Sequence, residues 1–121
     1  MTCSSEKAAK AAAKDLLGAM RGNGWKTRVW ENMGWHYEVR LSVKSGTLMV
    51  WPCGDGTYMA LLGAGVCHDA GGNYCWSQRL GSHNNPNAAA KEAVAHARKT
   101  ARTCFDAVEE CVKRLGLEKG R

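Results

Sequence analysis

Four histidines are the side chains of this chain best suited to proton transfer, because the imidazole pKa ordinarily lies near neutrality. They stand at positions 36, 68, 83 and 96, and no nucleophile–base motif surrounds any of them. The catalytic hypothesis they allow is an acid–base pair of His36 and His83 that cleaves RNA. Without a supporting motif, we expect no catalytic residue and a protein that is not an enzyme.

Six cysteines raise the alternative of a metal site. Cys67, His68, Cys75 and His83 supply zinc-type ligands, but the pattern Cys-His-x6-Cys-x7-His matches no common zinc knuckle or finger. Structural thiols and a loop histidine explain this stretch more simply, so we expect no metal and no cofactor. The sequence leaves open whether Cys53, Cys67 and Cys75 are free, bridged or metal-bound.

The chain is basic, with 17 lysines and arginines against 11 acidic residues and a net charge of +6. Two predicted neighbouring strands place part of this charge beside aromatic rings. The side chains expected on the uncovered side of these strands are Lys26, Arg28, Trp30, His36, Glu38, Arg40 and Lys44. Basic side chains beside a stacking ring suit single-stranded nucleic acid or an acidic protein surface, and a solvated sheet face is the plainer alternative.

A second basic cluster lies in the predicted last helix, where Lys91, Arg98 and Arg102 fall on adjacent parts of one helical surface. Positive charge in the first half of a helix opposes the helix dipole. Contact with phosphate or carboxylate groups would explain this unfavourable placement, and a solvated helix face is again the alternative. We expect these three residues to extend the binding surface of the strands.

Alternation of apolar and polar residues predicts the strands. From residue 35 to residue 43 the odd positions are apolar and the even positions polar, which indicates an antiparallel strand with one buried face. Residues 25–30 form a preceding strand, joined to it through a hairpin loop at 31–34. Further strands are predicted at 47–51 and 57–62, with a fifth as an alternative at 74–78.

Helices are predicted on either side of these strands. Ser4 or Ser5 caps a first helix that ends near residue 20, and Asn85 with Pro86 starts a second helix that ends near residue 116. This second helix of about 30 residues would be about 45 Å long, more than a five-residue strand covers. The part of the helix that extends beyond the sheet would pack on the first helix, project into solvent, or meet a second subunit. A homodimer through the C-terminal helix is therefore an open alternative.

Together these elements predict an α+β fold: an antiparallel sheet of four to five strands, with an N-terminal helix and a long C-terminal helix packed on one face. A length of 121 residues suits a single domain spanning residues 1–121. No uncharged stretch is long enough to span a bilayer, and the first ten residues contain no apolar signal segment. We therefore expect a cytoplasmic protein without membrane contact.

The order of helix, antiparallel strands and helix resembles the double-stranded-RNA-binding domain. In that family a lysine cluster at the start of the final helix reaches phosphates across a groove. The matching stretch here, 86–92, contains only Lys91, and the predicted sheet has an additional strand. The resemblance implies a basic domain that contacts RNA or DNA phosphates, which is our second hypothesis.

A further resemblance covers about residues 35–98, where aromatic-rich strands precede an alanine-rich helix. The segments are WHYEV at 35–39, GTYMA at 56–60 and NPNAAAKEA at 85–93. In this order of aromatic-rich strands and an alanine-rich helix, the chain is similar to small phage-encoded anti-defence proteins, including some anti-CRISPR inhibitors. Such proteins usually act without catalysis, by occupying a nucleic-acid-binding or nuclease surface of their target. A net charge of +6 argues against mimicry of DNA.

Our first hypothesis is therefore a non-enzymatic binding protein of phage or mobile-element type. We expect it to inhibit a defence complex in the host cytoplasm by occupying a protein or nucleoprotein surface. The residues expected to bind are Lys26, Arg28, Trp30, His36, Arg40, Lys44, Lys91, Arg98 and Arg102. Direct contact with nucleic acid through the same residues is the alternative.

Overall fold

The computed structural model describes residues 2–43, 46–64, 79–100 and 105–117. The helices in this part of the chain are α1 at Glu6–Ala19, α2 at Pro86–Thr100 and α3 at Phe105–Arg114. The strands are β1 at Trp25–Glu31, β2 at Trp35–Val43, β3 at Gly46–Pro52, β4 at Tyr58–Ala64 and β5 at Arg79–His83. This order of helices and strands confirms the predicted α+β class.

The strands form one antiparallel sheet in chain order, β1-β2-β3-β4-β5, so each strand pairs with the one before it. The first four match the predicted strands to within two residues at each end. The sequence did not predict β5, which pairs with β4 through a register shift between Tyr58 and Ala60. The fifth strand predicted at 74–78 lies outside the described residues.

The hairpin between β1 and β2 sets the alignment of both strands. Pairing runs without a shift over all seven residues of β1. Beyond it, the Asn32 N–H donates to the Gly34 carbonyl oxygen at 2.8 Å and closes the loop. Gly34 has φ 119°, and a Cβ atom there would lie 3.0 Å from the Thr2 side chain. The loop therefore needs glycine at this position.

An apolar core lies between the sheet and the helices. Its fully buried strand residues are Val39, Leu41, Leu48, Val50, Ala60 and Leu62. The helices contribute Leu16, Ala89, Ala90, Ala93, Val94, Ala97, Ala107, Val108, Cys111 and Val112. Most of the helical side chains are small, so the helices lie close to the sheet and the strands fill most of the volume. All three helices thus pack on one face of the sheet.

The predicted 30-residue helix is only roughly matched, because the structure describes two helices, α2 and α3, over this stretch. In one continuous helix, residues 98 and 109 would lie about 16 Å apart along the axis. In the structure the Arg98 Nε atom is 3.2 Å from a Glu109 carboxylate oxygen, so α2 and α3 are not parts of one continuous helix. At the far end of α3, the Arg114 Nε atom lies 3.4 Å from the Asn23 carbonyl oxygen, just before β1.

The two-helix arrangement removes the reason for expecting a homodimer through the C-terminal helix. With 15 residues, α2 is about 22 Å long, which matches the width of the sheet instead of exceeding it. Its alanine stripe is already buried within the chain: Ala90 is 1% exposed, and Ala93 and Ala97 are fully buried. These small residues contact the sheet and α3 within the chain.

Capping residues fix the helix starts where the sequence predicts them. The Ser5 Oγ atom accepts a hydrogen bond from the Ala8 N–H at 3.1 Å at the start of α1. The Asn85 Oδ1 atom accepts one from the Asn87 N–H at 2.8 Å at the start of α2. Within the ranges that the structure describes, no helix is both long and apolar enough to cross a membrane.

Candidate binding surface on the sheet

The two faces of the sheet have different surroundings. Odd-numbered residues of β1 and β2 point towards the helices, since Trp25, Val39 and Leu41 belong to the core. Even-numbered residues of these strands therefore lie on the opposite face, against which no described helix packs. Six of them form what we call the β1–β2 cluster: Lys26, Arg28, Trp30, His36, Glu38 and Arg40.

Trp30 is the centre of a stack in this cluster. The Arg28 guanidinium carbon lies 4.4 Å from the centre of the Trp30 ring, within the range of a cation–π interaction. His36 is directly opposite Trp30 on β2, and their ring centres are 5.5 Å apart with an interplanar angle of 19°. The hairpin register thus brings a cation and two flat rings into one packed group.

A backbone hydrogen bond holds the His36 ring in this stack. The His36 Nε2 atom lies 2.8 Å from the Asn32 carbonyl oxygen in the hairpin loop. A carbonyl oxygen only accepts, so Nε2 carries a hydrogen and donates it. The loop therefore fixes both the orientation and the tautomer of His36.

Glu38 is the buried acid of the cluster. It is only 5% exposed, although it lies on the face away from the helices. Its carboxylate forms a hydrogen-bonded ion pair with Arg40, and one of its oxygens lies 4.0 Å from an Arg28 terminal nitrogen. Burial of a carboxylate is unfavourable unless it is paired, and two guanidinium groups provide that pairing. Glu38 thereby positions both arginines.

Lys26 is the most accessible cation of the cluster. It is exposed and stands directly opposite Arg40 in the β1–β2 register. Like charges on directly opposed residues repel each other, so Arg40 does not compensate the charge of Lys26. The cluster contains three permanent cations and one carboxylate among its described side chains. It therefore presents net positive charge beside an ordered aromatic stack.

The same face becomes apolar towards β3 and β4. Because Leu48 and Val50 point into the core, Met49 and Trp51 point to the other face, together with Met59 on β4. Met49 is 5% exposed, whereas Trp51 and Met59 are half-buried. Across the sheet the surface thus changes from charged side chains to large apolar ones, which is the mixed composition of protein-binding patches.

The basic cluster predicted on the last helix is a separate surface. Lys91 lines a cavity of about 400 Å³ that is also bordered by Arg21 and Leu115. Arg98 pairs with Glu109 of α3. Since α2 packs on the helix side of the sheet, neither residue extends the β1–β2 cluster, and the expected joint surface is wrong for these two. Lys44 and Arg102 lie outside the described residues.

Met33 is a surface residue that the sequence prediction missed. It lies at the tip of the hairpin loop, is 96% exposed and has a left-handed backbone with φ 55°. A methionine there is flexible and apolar, a combination that suits adaptable protein contacts. The sequence did contain a signal: an apolar residue at the tip of a predicted hairpin loop, next to the aromatic ends of two strands.

Three of the six cysteines lie in the described ranges. Cys3, Cys53 and Cys111 are free thiols, and no group of metal-ligating side chains occurs among the described residues. His36 and His83 lie on β2 and β5, three strand spacings or about 14 Å apart, which argues against an acid–base pair. Residues 67, 68 and 75 lie outside the described part.

Burial explains the properties of Cys111. Burial raises the pKa of its thiol to about 12, with a smaller contribution from the Glu110 carboxylate. A thiol that stays protonated is a poor nucleophile and a poor metal ligand. Cys111 therefore serves the core.

Comparison with known proteins provides no family for this chain. No protein-family model, no curated protein and no solved structure matches it. The inference of function therefore depends on the geometry of the β1–β2 cluster.

Proposed function

We propose that this protein is a non-enzymatic binding protein whose β1–β2 cluster occupies an acidic or mixed surface of another protein. In keeping with its resemblance to small phage-encoded anti-defence proteins, the proposed target is a host defence complex in the cytoplasm. The bound protein blocks the surface that the complex needs for its partner or substrate.

The observation that carries this proposal is the prearranged stack of Arg28, Trp30 and His36. Tryptophan and arginine are the residues that most often dominate binding energy at protein interfaces. Side chains that are already ordered lose less conformational entropy when a partner binds. Arg28 is fixed by Trp30 and Glu38, and His36 by Trp30 and the Asn32 carbonyl oxygen. Such ordering favours a specific contact over a solvated sheet face.

Two features favour a protein partner over nucleic acid. The Glu38 carboxylate pairs with Arg28 and Arg40 and offsets one of the three cations of the cluster, which leaves little charge to match the continuous row of phosphates in a nucleic acid. The Trp30 ring already has two stacking neighbours within the chain, which limits the area open to a nucleobase. An acidic protein side chain can instead approach the exposed Lys26 and the outer part of the arginines.

Direct nucleic-acid binding remains the second candidate because of the net charge of +6 and the exposed Lys26 opposite Arg40. Salt titration separates it from the first. Binding through several phosphate contacts weakens steeply, by roughly a hundredfold or more, between about 50 and 200 mM salt. We expect no salt-sensitive binding of labelled single- or double-stranded oligonucleotides at near-physiological ionic strength.

Affinity capture from a bacterial lysate, after nuclease treatment, tests the main proposal. We expect a defined protein partner to be retained by the natural sequence and lost with Trp30→Ala, which removes the centre of the stack. Lys14→Ala is the matched control, because Lys14 is exposed on α1 on the other side of the sheet. Equal retention by all three proteins, or retention that needs intact nucleic acid, would contradict the proposal.

A further inference from the structure

β1 is an end strand of the sheet, and its backbone groups on the outer edge can be identified. Trp35 and Cys3 exchange two backbone hydrogen bonds, so the Trp35 N–H and C=O point away from β1. Glu31 and Trp35 are therefore a non-hydrogen-bonded pair, and such pairs alternate along the hairpin. It follows that the outward backbone groups of β1 belong to its odd-numbered residues: Trp25, Thr27, Val29 and Glu31.

These outward groups form a regular edge. β1 contains no proline, and its pairing with β2 continues without a bulge over seven residues. No described residue donates to or accepts from the outer side of Thr27 or Val29 through its backbone. Proteins usually protect such an edge with a proline, a bulge or a charged residue, and Lys26 is the exposed cation on this edge.

We infer that the outer edge of β1 is a strand-addition site for an extended, acidic segment of the partner protein. This inference rests on the proposed function, since it assumes that the partner of the β1–β2 cluster is a protein. Backbone hydrogen bonds to the odd-numbered residues of β1 hold the segment. Contacts with the side chains of Lys26, Arg28 and Trp30 determine which segments bind.

The pairing pattern predicts the chemistry of that segment. On the outer edge, Lys26, Arg28 and Trp30 stand in non-hydrogen-bonded pairs, in which opposed side chains come closest. An acidic residue opposite Lys26 and another opposite Arg28 give attractive pairs on the same face. An apolar residue opposite Trp30 extends the aromatic stack. In an antiparallel arrangement, the partner segment therefore has an apolar residue followed by acidic residues two and four positions later.

A second copy of this chain fits the edge less well. Antiparallel pairing centred on Arg28 sets the two Arg28 side chains against each other. Pairing centred on Thr27 sets Lys26 of each copy against Arg28 of the other. Like charges in directly opposed positions are destabilising, so these registers disfavour self-association while leaving the edge open to acidic segments.

Thr27→Pro tests the edge without breaking the hairpin. The Thr27 N–H points outward, so its removal takes away a hydrogen bond to the added strand and none to β2. Thr27→Val is the matched control, because it keeps the N–H group at this exposed position. Circular dichroism and thermal unfolding verify that both variants are folded before binding is measured.

The probes are two synthetic peptides of nine residues and identical composition, made of threonine with one valine and two glutamates. In the first, valine is third and the glutamates are fifth and seventh; in the second, the glutamates are adjacent, so only one can face Lys26 or Arg28. Loss of one favourable cross-strand pair weakens binding by about fivefold. We expect the alternating peptide to bind about fivefold more tightly and to slow hydrogen exchange of the Thr27 and Val29 amides.

Thr27→Pro should abolish this binding, and Thr27→Val should retain it. Equal affinity for the two peptides, unchanged binding to Thr27→Pro, or no binding of the alternating peptide at millimolar concentration would overturn the inference. Retention of the captured partner by the two variants distinguishes failure of the strand-addition inference from failure of the proposed function. If Trp30→Ala loses the partner but Thr27→Pro keeps it, the strand-addition site is wrong and the role of the cluster stands; if neither variant loses it, the proposed function fails.

Discussion

The two faces of this sheet are formed by the same strands but carry different kinds of side chains. On the helix side, Val39 and Leu41 are fully buried among aliphatic and small helical side chains. On the other side, their neighbours Glu38 and Arg40 form an ion pair beside an aromatic stack. Burial of apolar area explains the first face, since it stabilises the fold.

The second face has no comparable explanation in terms of folding. Replacement of a buried ion pair by well-packed apolar residues is often neutral or stabilising, because desolvation of the charges offsets their attraction. The β1–β2 cluster offers directional contacts to a partner instead. The comparison shows that the odd-numbered positions of β1 and β2 serve folding, and it supports our proposal that the even-numbered positions serve recognition. The following changes test that division.

Leu41→Ala should have the largest effect on stability. Leu41 is fully buried, and truncation of a buried leucine costs roughly 2–5 kcal/mol in the free energy of unfolding. Lys26→Ala, on the exposed side of the adjacent cross-strand pair, should change it by less than about 0.5 kcal/mol. Urea unfolding measures both. Similar losses for the two variants would break the proposed division between the faces.

Gly22→Ala should also destabilise the helix side. Gly22 has φ +100°, and a Cβ atom there would lie 2.6 Å from the Arg114 carbonyl oxygen. Backbone strain and this clash together should cost more than about 2 kcal/mol. Gly56→Ala is the control, because it has φ +88° but open space around the added Cβ, and should cost about 1 kcal/mol. Equal thermal shifts for the two would contradict the observed docking of α3.

Glu38→Gln should have a smaller effect on stability and a distinct effect on binding. The amide keeps the shape but removes the Glu38 charge from its pairs with Arg28 and Arg40, at a cost of roughly 1–3 kcal/mol. Glu6→Gln, which alters an exposed pair with Lys10, should cost less than about 0.5 kcal/mol. Glu38→Gln should also gain salt-sensitive affinity for oligonucleotides. If that affinity does not rise, Glu38 is not what keeps phosphates away.

Cys111 should make a small, pH-dependent contribution. An unfolded thiol ionises near pH 9, whereas the folded thiol stays protonated until about pH 12. The folded state therefore binds the proton more tightly, so the free energy of unfolding falls as pH rises above 9. Burial also raises the pKa of Tyr37, which adds a loss of the same sign. Cys111→Ala should show a shallower fall between pH 8 and 10.5 in urea unfolding; an unchanged slope would exclude this role for Cys111.

Local patterns made much of the fold predictable. Period-two alternation at 35–43 identified β2, and the hairpin register then placed Trp30 beside His36 and Arg28 beside Glu38. Asn85 and Pro86 marked the start of α2 because their effect on helix starts is local. The grouping of the β1–β2 cluster was therefore accessible from the sequence alone.

The end of α2 was not accessible in the same way. The stretch 87–115 contains neither glycine nor proline, and its apolar residues at spacings of three and four suit one long helix or two shorter ones. Only tertiary packing selects the two-helix form, in which both helices bury their stripes against the sheet. β5 was missed because its sequence, RLGSH, lacks alternation and has glycine at its centre. The burial of Glu38 depends on neighbouring side chains, which a periodic pattern does not specify.

Lysine labelling of the complex tests the role of the β1–β2 cluster most directly. The captured partner is bound to the protein, exposed amines are acetylated, and labelling is quantified by mass spectrometry against the free protein. Lys26 lies in the β1–β2 cluster, whereas Lys14 is exposed on α1. We predict that partner binding reduces labelling of Lys26 and leaves Lys14 unchanged. Protection of Lys14 with Lys26 fully labelled would contradict the account, because the partner would then lie on the helix side of the molecule.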